Sequence, residues 1–190
     1  MPTVVSELFT PNLLDKVSIL AVTAPSDATA SPGESFGRAV AEGAERLGAH
    51  VRTFAPDAVL VEPGGGDMLV VDSAALFASG GLRTCLDSTW DATRAVVNGV
   101  FLPADSGGRI VYIAPVPGAG EGAEAARAGL ENLARTLSVE WARHGITTVT
   151  IAPGAQSAGG EVGALVAYLA SPAGAYFSGC QLDLGGVVTR

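Results

Sequence analysis

The sequence predicts an α/β fold built on a Rossmann-like, doubly wound parallel sheet, and three observations carry that expectation. Short apolar runs alternate with amphipathic stretches along the chain, the order of repeated strand–helix–strand units. The apolar runs are continuous, as strands are when helices cover both faces of the sheet. The chain has 190 residues, 48% of them hydrophobic and only 16% charged, enough to bury one sizeable core. A single domain over residues 1–190 follows, with no internal repeat or linker.

In chain order, the expected strands are Val17–Thr23, His50–Phe54, Met68–Asp72, Arg109–Ala114, Thr147–Ala152 and Cys180–Leu184, with Ala58–Val61 a weaker seventh. Four helices are legible between them. The first, Phe36 to Gly48, sets Phe36, Val40, Ala44 and Leu47 on one face and stops at a glycine suited to a left-handed cap. The second runs from Ser88 to Phe101 and ends before Pro103. The third, Gly122 to His144, has the strongest periodicity, with Ala126, Leu130, Leu133, Leu137 and Trp141 on one stripe. The fourth is Glu161 to Ala170. Asp87 and Glu161 read as residues at helix starts, where the dipole favours acids. Two loops stand out: Ala24–Glu34 after the first strand, and the abrupt turn Pro63–Gly66.

Composition removes several function classes. Eleven basic against 19 acidic residues give a net charge of −8, and Lys16 is the one lysine, so no basic stripe exists for a nucleic-acid backbone. No apolar run reaches the ~18 residues of a membrane span, and Met1–Leu14 lacks the basic-then-apolar pattern of a signal peptide. Cys85 and Cys180 are isolated, which fits buried thiols and a reducing, cytoplasmic setting. His50 and His144 are equally alone, so no metal site is expected.

Seven segments, taken in order, resemble the short-chain dehydrogenase/reductase family. VSILAVT resembles its first strand, and FGRAVAEGAERLGAHV its first helix and second strand. DMLVVDSA stands where the family has D-x-L-V-N-N-A-G, and TRAVVNGVFLPA matches the next helix. GGRIVYIAP resembles the strand that ends in Ser-Ser, and AEAARAGLENLARTLSVEWARHGITTVTIAPG the long helix and strand ending in Pro-Gly. VAYLASPAGAYFSGCQLDLGG completes the series. The resemblance implies a truncated fold of that family and, by type, the 3-oxoacyl reductases. It also implies NAD(P) chemistry through an Asn, Ser, Tyr and Lys.

Mapped residue by residue, that chemistry is missing. Asn98 matches the family asparagine, but Pro115 stands for the serine, Ala123 for the tyrosine and Arg127 for the lysine. The phenol that would pass a proton is absent, as is the hydroxyl that would steady the developing charge. Tyr112 lies close in sequence, but alternation on a strand sends it to the face opposite Ile113. The glycine-rich cofactor loop is interrupted. Thr23 and Gly37 are fourteen positions apart where the family has seven, and Ala24 and Ser35 fill the places of two glycines. Val71 and Asp72 replace the paired asparagines, and Asp72 sets a carboxylate beside a dinucleotide's own charge. Phe54 to Asp67 is too short for the family's adenine-side strand and helices. After Gly154 the substrate lid is absent.

Two further patterns fail on their residues. Gly33–Arg38 lacks the lysine of a phosphate loop, and Ala155-Gln-Ser157-Ala-Gly159 misses the first glycine of a nucleophile elbow. The sequence therefore leads to a catalytically inactive subunit with no cofactor of its own. It would pair with an active dehydrogenase that carries NAD(P), or with itself, through Ser88–Phe101, Ala123–His144 and Glu161–Gly186. The alternatives are a divergent NAD(P)-dependent oxidoreductase of 3-oxoacyl reductase type, and a protein that binds an apolar ligand in the opened cleft.

Overall fold

The computed structural model describes residues 9–24, 35–58 and 65–185. Among these residues, six strands pair in parallel in the order β2-β1-β3-β4-β5-β6. They are β1 Ser18–Val22, β2 His50–Phe54, β3 Met68–Val71, β4 Gly108–Ile113, β5 Ile146–Ala152 and β6 Cys180–Asp183. Each matches an expected strand to within a residue at either end. Register runs without a break from Ser18 against His50 to Ala152 against Asp183.

Helices cover both faces, which is why the four central strands β1, β3, β4 and β5 are largely buried, while the edge strands β2 and β6 stay half-exposed. On one side α1 (Gly37–Glu45) and α5 (Gly159–Ala170) bury Val40, Ala44, Val162 and Val166 against Ile19, Val70, Val111 and Ile151. On the other, α2 (Ser73–Val96) and α4 (Ala123–Glu140) bury Ala92, Val96, Ala126 and Leu130 against Leu20, Leu69, Ile110 and Tyr112. Each fully buried large side chain contributes roughly 1.5–3 kcal/mol over exposure. α1 and α5 meet backbone to backbone: a Cβ on Gly163 would lie 2.7 Å from the Ala39 carbonyl oxygen. Across the sheet, Thr148 and Thr150 donate from β5 to the α4 carbonyls of Ala134 and Leu130, at 2.5 and 3.0 Å.

The second helix corrects the sequence reading. It starts at Ser73, fifteen residues before Ser88, with Asp72 as its cap, and it is interrupted at Gly80 and Gly81. Gly81 has φ +73°, a left-handed turn that costs glycine little. The helix does not stop before Pro103. It passes through a π-helical turn, Val97–Phe101, into α3, Leu102–Ala104, where Pro103 has no N–H to continue the ladder and the helix ends two residues later at Asp105, in the left-handed region. Asp87 is consequently mid-helix, paired with Arg83 at 3.2 Å, rather than at a start. Glu161 behaves as expected: its carboxylate accepts from the Ala158 N–H at 3.0 Å at the start of α5.

Most of Ala24–Glu34, and Pro63 and Gly64 of the second loop, lie outside the described residues. So do Val59–Val61 of the weaker strand, while Ala58 closes a short 3₁₀ turn, Pro56–Ala58. No helix among the described residues is long and apolar enough to cross a membrane.

Candidate functional site

In a parallel sheet the helices run back against the strands, so the N-termini of α1, α2, α4 and α5 gather at the carboxyl ends of the strands. Strand order reverses between β1 and β3, and this is where open α/β sheets form their ligand crevice.

Asp72 fills that point. Its Oδ2 accepts from the backbone N–H groups of Phe36 and Gly37, at 2.7 and 2.6 Å, which open α1. The Ser35 hydroxyl donates to the same oxygen at 2.9 Å, and Thr23 Oγ1 lies 3.4 Å away. Oδ1 accepts from Ala75 N–H at 3.1 Å, capping α2. Gly37 permits this closeness, since a Cβ there would stand 3.1 Å from Thr23 and 3.3 Å from the carboxylate. The side chain is 1% exposed. Burial pushes its carboxyl above the ordinary carboxylate value, while the donors from Ala75, Phe36, Gly37 and Ser35 pull the other way.

A dinucleotide pyrophosphate would need those same N–H groups at the start of α1. Here they donate to a buried carboxylate, and a phosphate placed beside it would meet like charge. Among the described residues, the groups at this helix start do not fit the cofactor's pyrophosphate.

Pro115, Ala123 and Arg127 are brought together a short way along the same edge. Ala123 and Arg127 are one turn apart at the start of α4, with Ala123 buried. Arg127 Nη1 donates to the carbonyls of Pro115 and Pro153, at 2.7 and 2.9 Å, just beyond the ends of β4 and β5. Its side chain is 12% exposed, with Nε 3.7 Å from Glu124. The guanidinium therefore braces two strand ends; no phenol or serine hydroxyl occupies the positions beside it for it to activate.

Asn98 does not join them. It is exposed in the π turn, one turn before Phe101, whose ring packs on Gly108 at the start of β4. Pro115 lies beyond the other end of that six-residue strand, about 20 Å along. Tyr112 points into the α2/α4 core, as its alternation with Ile113 predicts. Its oxygen lies 3.1 Å from Thr93 Oγ1, and burial pushes the phenol far above its ordinary value. Ser157 Oγ accepts from Gly154 N–H at 2.9 Å. Both histidines stand at the opposite edge, His50 opening β2 and His144 just before β5, so no triad forms. No cluster of three or more metal-ligating side chains occurs among the described residues.

Sequence reasoning missed the Pro153 carbonyl, and it missed Arg109, whose Nη1 lies 2.6–2.9 Å from the carbonyls of Leu169, Ala170 and Ser171 at the end of α5. One signal was available for Asp72: an Asp directly before Ser-Ala-Ala is a helix N-cap pattern, which also marks the true start of α2.

The chain matches no protein-family model, and a search of curated proteins returns no match. Its fold has close counterparts among solved structures. A short chain dehydrogenase from Mycobacterium smegmatis aligns with TM-score 0.71 and 22% identity, over 94% of this chain and 95% of that one. BdcA (YjgI) from E. coli aligns with TM-score 0.64 and 21% identity, over 90% and 100%. AtuB, a citronellol catabolism dehydrogenase of Pseudomonas aeruginosa PAO1, gives 0.62 and 22%, over 93% and 96%. The chain has the short-chain dehydrogenase fold.

Proposed function

We propose that this chain is a catalytically inactive relative of the short-chain dehydrogenases that serves as a structural or regulatory subunit beside an active one. The observation that carries the reading is Arg127. In the family's lysine position its guanidinium is spent on the Pro115 and Pro153 carbonyls, with Ala123 and Pro115 in place of the proton donor and the oxyanion stabiliser. Loss of a positioned proton donor alone costs about 10²–10⁴ in rate. On this reading NAD(P) belongs to the partner subunit, and the adenine side and substrate lid are shortened because this chain uses neither.

Assembly would use α2 from Ser88 through the turn ending at Phe101, the stretch Ala123–His144, and the C-terminal Glu161–Gly186, of which Gly186 lies outside the described residues. Trp90 and Val139 are 40% and 74% exposed on the first two, and Leu82, Leu86, Leu133 and Trp141 are half-buried beside them. Large apolar groups left open on neighbouring helices suit a protein partner. A homodimer would use the same faces, in a cytoplasmic setting.

Native mass spectrometry of the tagged chain from its own cells is the test. A short-chain dehydrogenase at equal stoichiometry, carrying the only bound nucleotide, is the expected result. Saturable NADH or NADPH binding by the isolated chain, with turnover of a ketone or acyl thioester, would overturn the proposal. That outcome would favour the divergent 3-oxoacyl-type reductase, which the fold accommodates equally.

A further inference from the structure

We propose that the groove at the amino edge of the sheet is a binding site for a small organic monocarboxylate, anchored by the Arg109 guanidinium. The groove lies at the opposite edge from Asp72 and Arg127, so the proposal stands or falls independently of whether the chain partners a dehydrogenase.

The groove has the dimensions of a ligand site. Its volume is about 560 Å³, within the roughly 300–1,000 Å³ of small-molecule pockets. Gly107, Gly108 and Gly145 line it without side chains to fill it, and Leu13, Val17 and Pro172 supply apolar wall.

Arg109 carries the case. Its Nη1 lies 2.6–2.9 Å from the carbonyls of Leu169, Ala170 and Ser171, which fixes the plane of the guanidinium. The other edge of the fork, Nε and Nη2, has no hydrogen-bond partner among the described residues and is not sealed from solvent. Asp67 acts on its charge from the residue before β3, but the two form no ion pair. Two N–H groups held side by side match the two oxygens of a carboxylate. Because the end of α5 already holds the side chain still, binding costs little further ordering.

The neighbouring charges select among anions. Lys16 and Arg109 stand against Asp15 and Asp67, two cations against two anions, so the lining carries no net charge. A phosphate dianion gains little from such a field and meets two carboxylates. A monocarboxylate needs only the directional bonds of the fork, and the apolar wall takes its hydrocarbon body.

Backbone N–H shifts of the full chain are followed by NMR during titration with benzoate, with its neutral isostere benzamide, and with inorganic phosphate. The expected result is saturable movement of Gly107, Gly108, Gly145 and Thr147 by benzoate, with Kd in the millimolar range. Benzamide should bind about tenfold more weakly, because it lacks the charge-assisted pair. Arg109→Lys should weaken benzoate by about tenfold, since it keeps the charge and loses the fork. Benzamide binding as well as benzoate, phosphate binding more tightly than either, or unchanged affinity in Arg109→Lys overturns the proposal. So do shifts confined to the carboxyl edge around Asp72 and Arg127, and the lack of any saturable shift in the millimolar range. If Arg109→Lys fails to fold, benzoate against benzamide on the wild type decides alone.

Discussion

At the carboxyl edge of the sheet, Asp72 and Arg127 turn inward and spend their charge on backbone groups. At the amino edge the same strands begin around an open groove of about 560 Å³, lined in part by Lys16, Asp67, Arg109, Thr147, Pro172 and Ala175. Open α/β sheets place their ligand sites at the carboxyl edge, where strand order reverses and helix N-termini converge. Here that edge is braced by its own side chains, and an open concavity lies where helix C-termini end. Topology fixes where a site can form, while the residues at the strand ends decide whether it stays open.

Breaking the Arg127 brace should have the largest effect. Arg127→Met keeps the apolar stem and removes the donors, leaving the carbonyls of buried Pro115 and Pro153 without their charged partner. A loss of about 3 kcal/mol is expected in chemical denaturation, with little change in slope. Arg127→Lys should recover part of it, since one ammonium can reach a carbonyl but lacks the planar fork. A loss below about 0.5 kcal/mol for Arg127→Met would remove the brace from the comparison.

The amino edge has one brace to set against it. Arg109 enters from β4 and places its Nη1 among the last carbonyls of α5, neutralising the negative end of the helix. Burial lowers the Arg109 pKa and Asp67 raises it, and the guanidinium stays charged throughout the working range. Arg109→Met should cost about 2 kcal/mol, less than Arg127→Met because the site borders solvent. Amide exchange confined to the end of α5 is the expected signature; exchange spread across the sheet would show that the two braces act alike.

Alkaline pH separates the edges more finely. Cys85 donates to the Ser73 carbonyl at 3.3 Å, close to Asp72, and burial followed by the Asp72 charge pushes its thiol up to about 12. The unfolded thiol ionises near 9 while the folded one keeps its proton, so stability is intact below pH 9 and falls as pH rises toward 12. The slope due to this group is about 1.4 kcal/mol per pH unit. Cys85→Ala should flatten the decline measured between pH 9 and 10.5 by about that slope. An unchanged slope would show that another group, Tyr112 being the nearest candidate, sets the alkaline limit.

The central strands β1, β3, β4 and β5 were legible because their largely buried runs leave no competing pattern, and the polar, half-exposed edge strands β2 and β6 because glycines precede them closely. The first half of α2 was not. Gly80-Gly81 interrupts it, and small residues such as Ser73, Ala74 and Ala75 give little periodicity, so the helix was placed only from Ser88. Within the site, the departures at Pro115, Ala123, Arg127 and Asp72 could be read off the chain. Their new partners could not: Asp72 meets Phe36 and Gly37 from 35 and more positions away, and Arg127 reaches Pro153 across 26. Asn98 shows the reverse case. Its local match to the family segment is good, but the helix carries it to the wrong end of β4.

The smallest expected effect tests whether the groove is open space rather than a second braced edge. Ala175 is exposed on its rim, in the 3₁₀ turn Pro172–Tyr176. Ala175→Gln adds a side chain that water can still solvate, so stability should stay within about 0.5 kcal/mol of the wild type. At the carboxyl edge a comparable addition has nowhere to go: a Cβ on Gly154 would stand 2.7 Å from the Gly185 Cα, backbone against backbone. Gly154→Ala should therefore cost more than Ala175→Gln, although it adds far fewer atoms. If the two cost the same, local crowding does not distinguish the edges, and the contrast would rest on Asp72 and Arg127 alone.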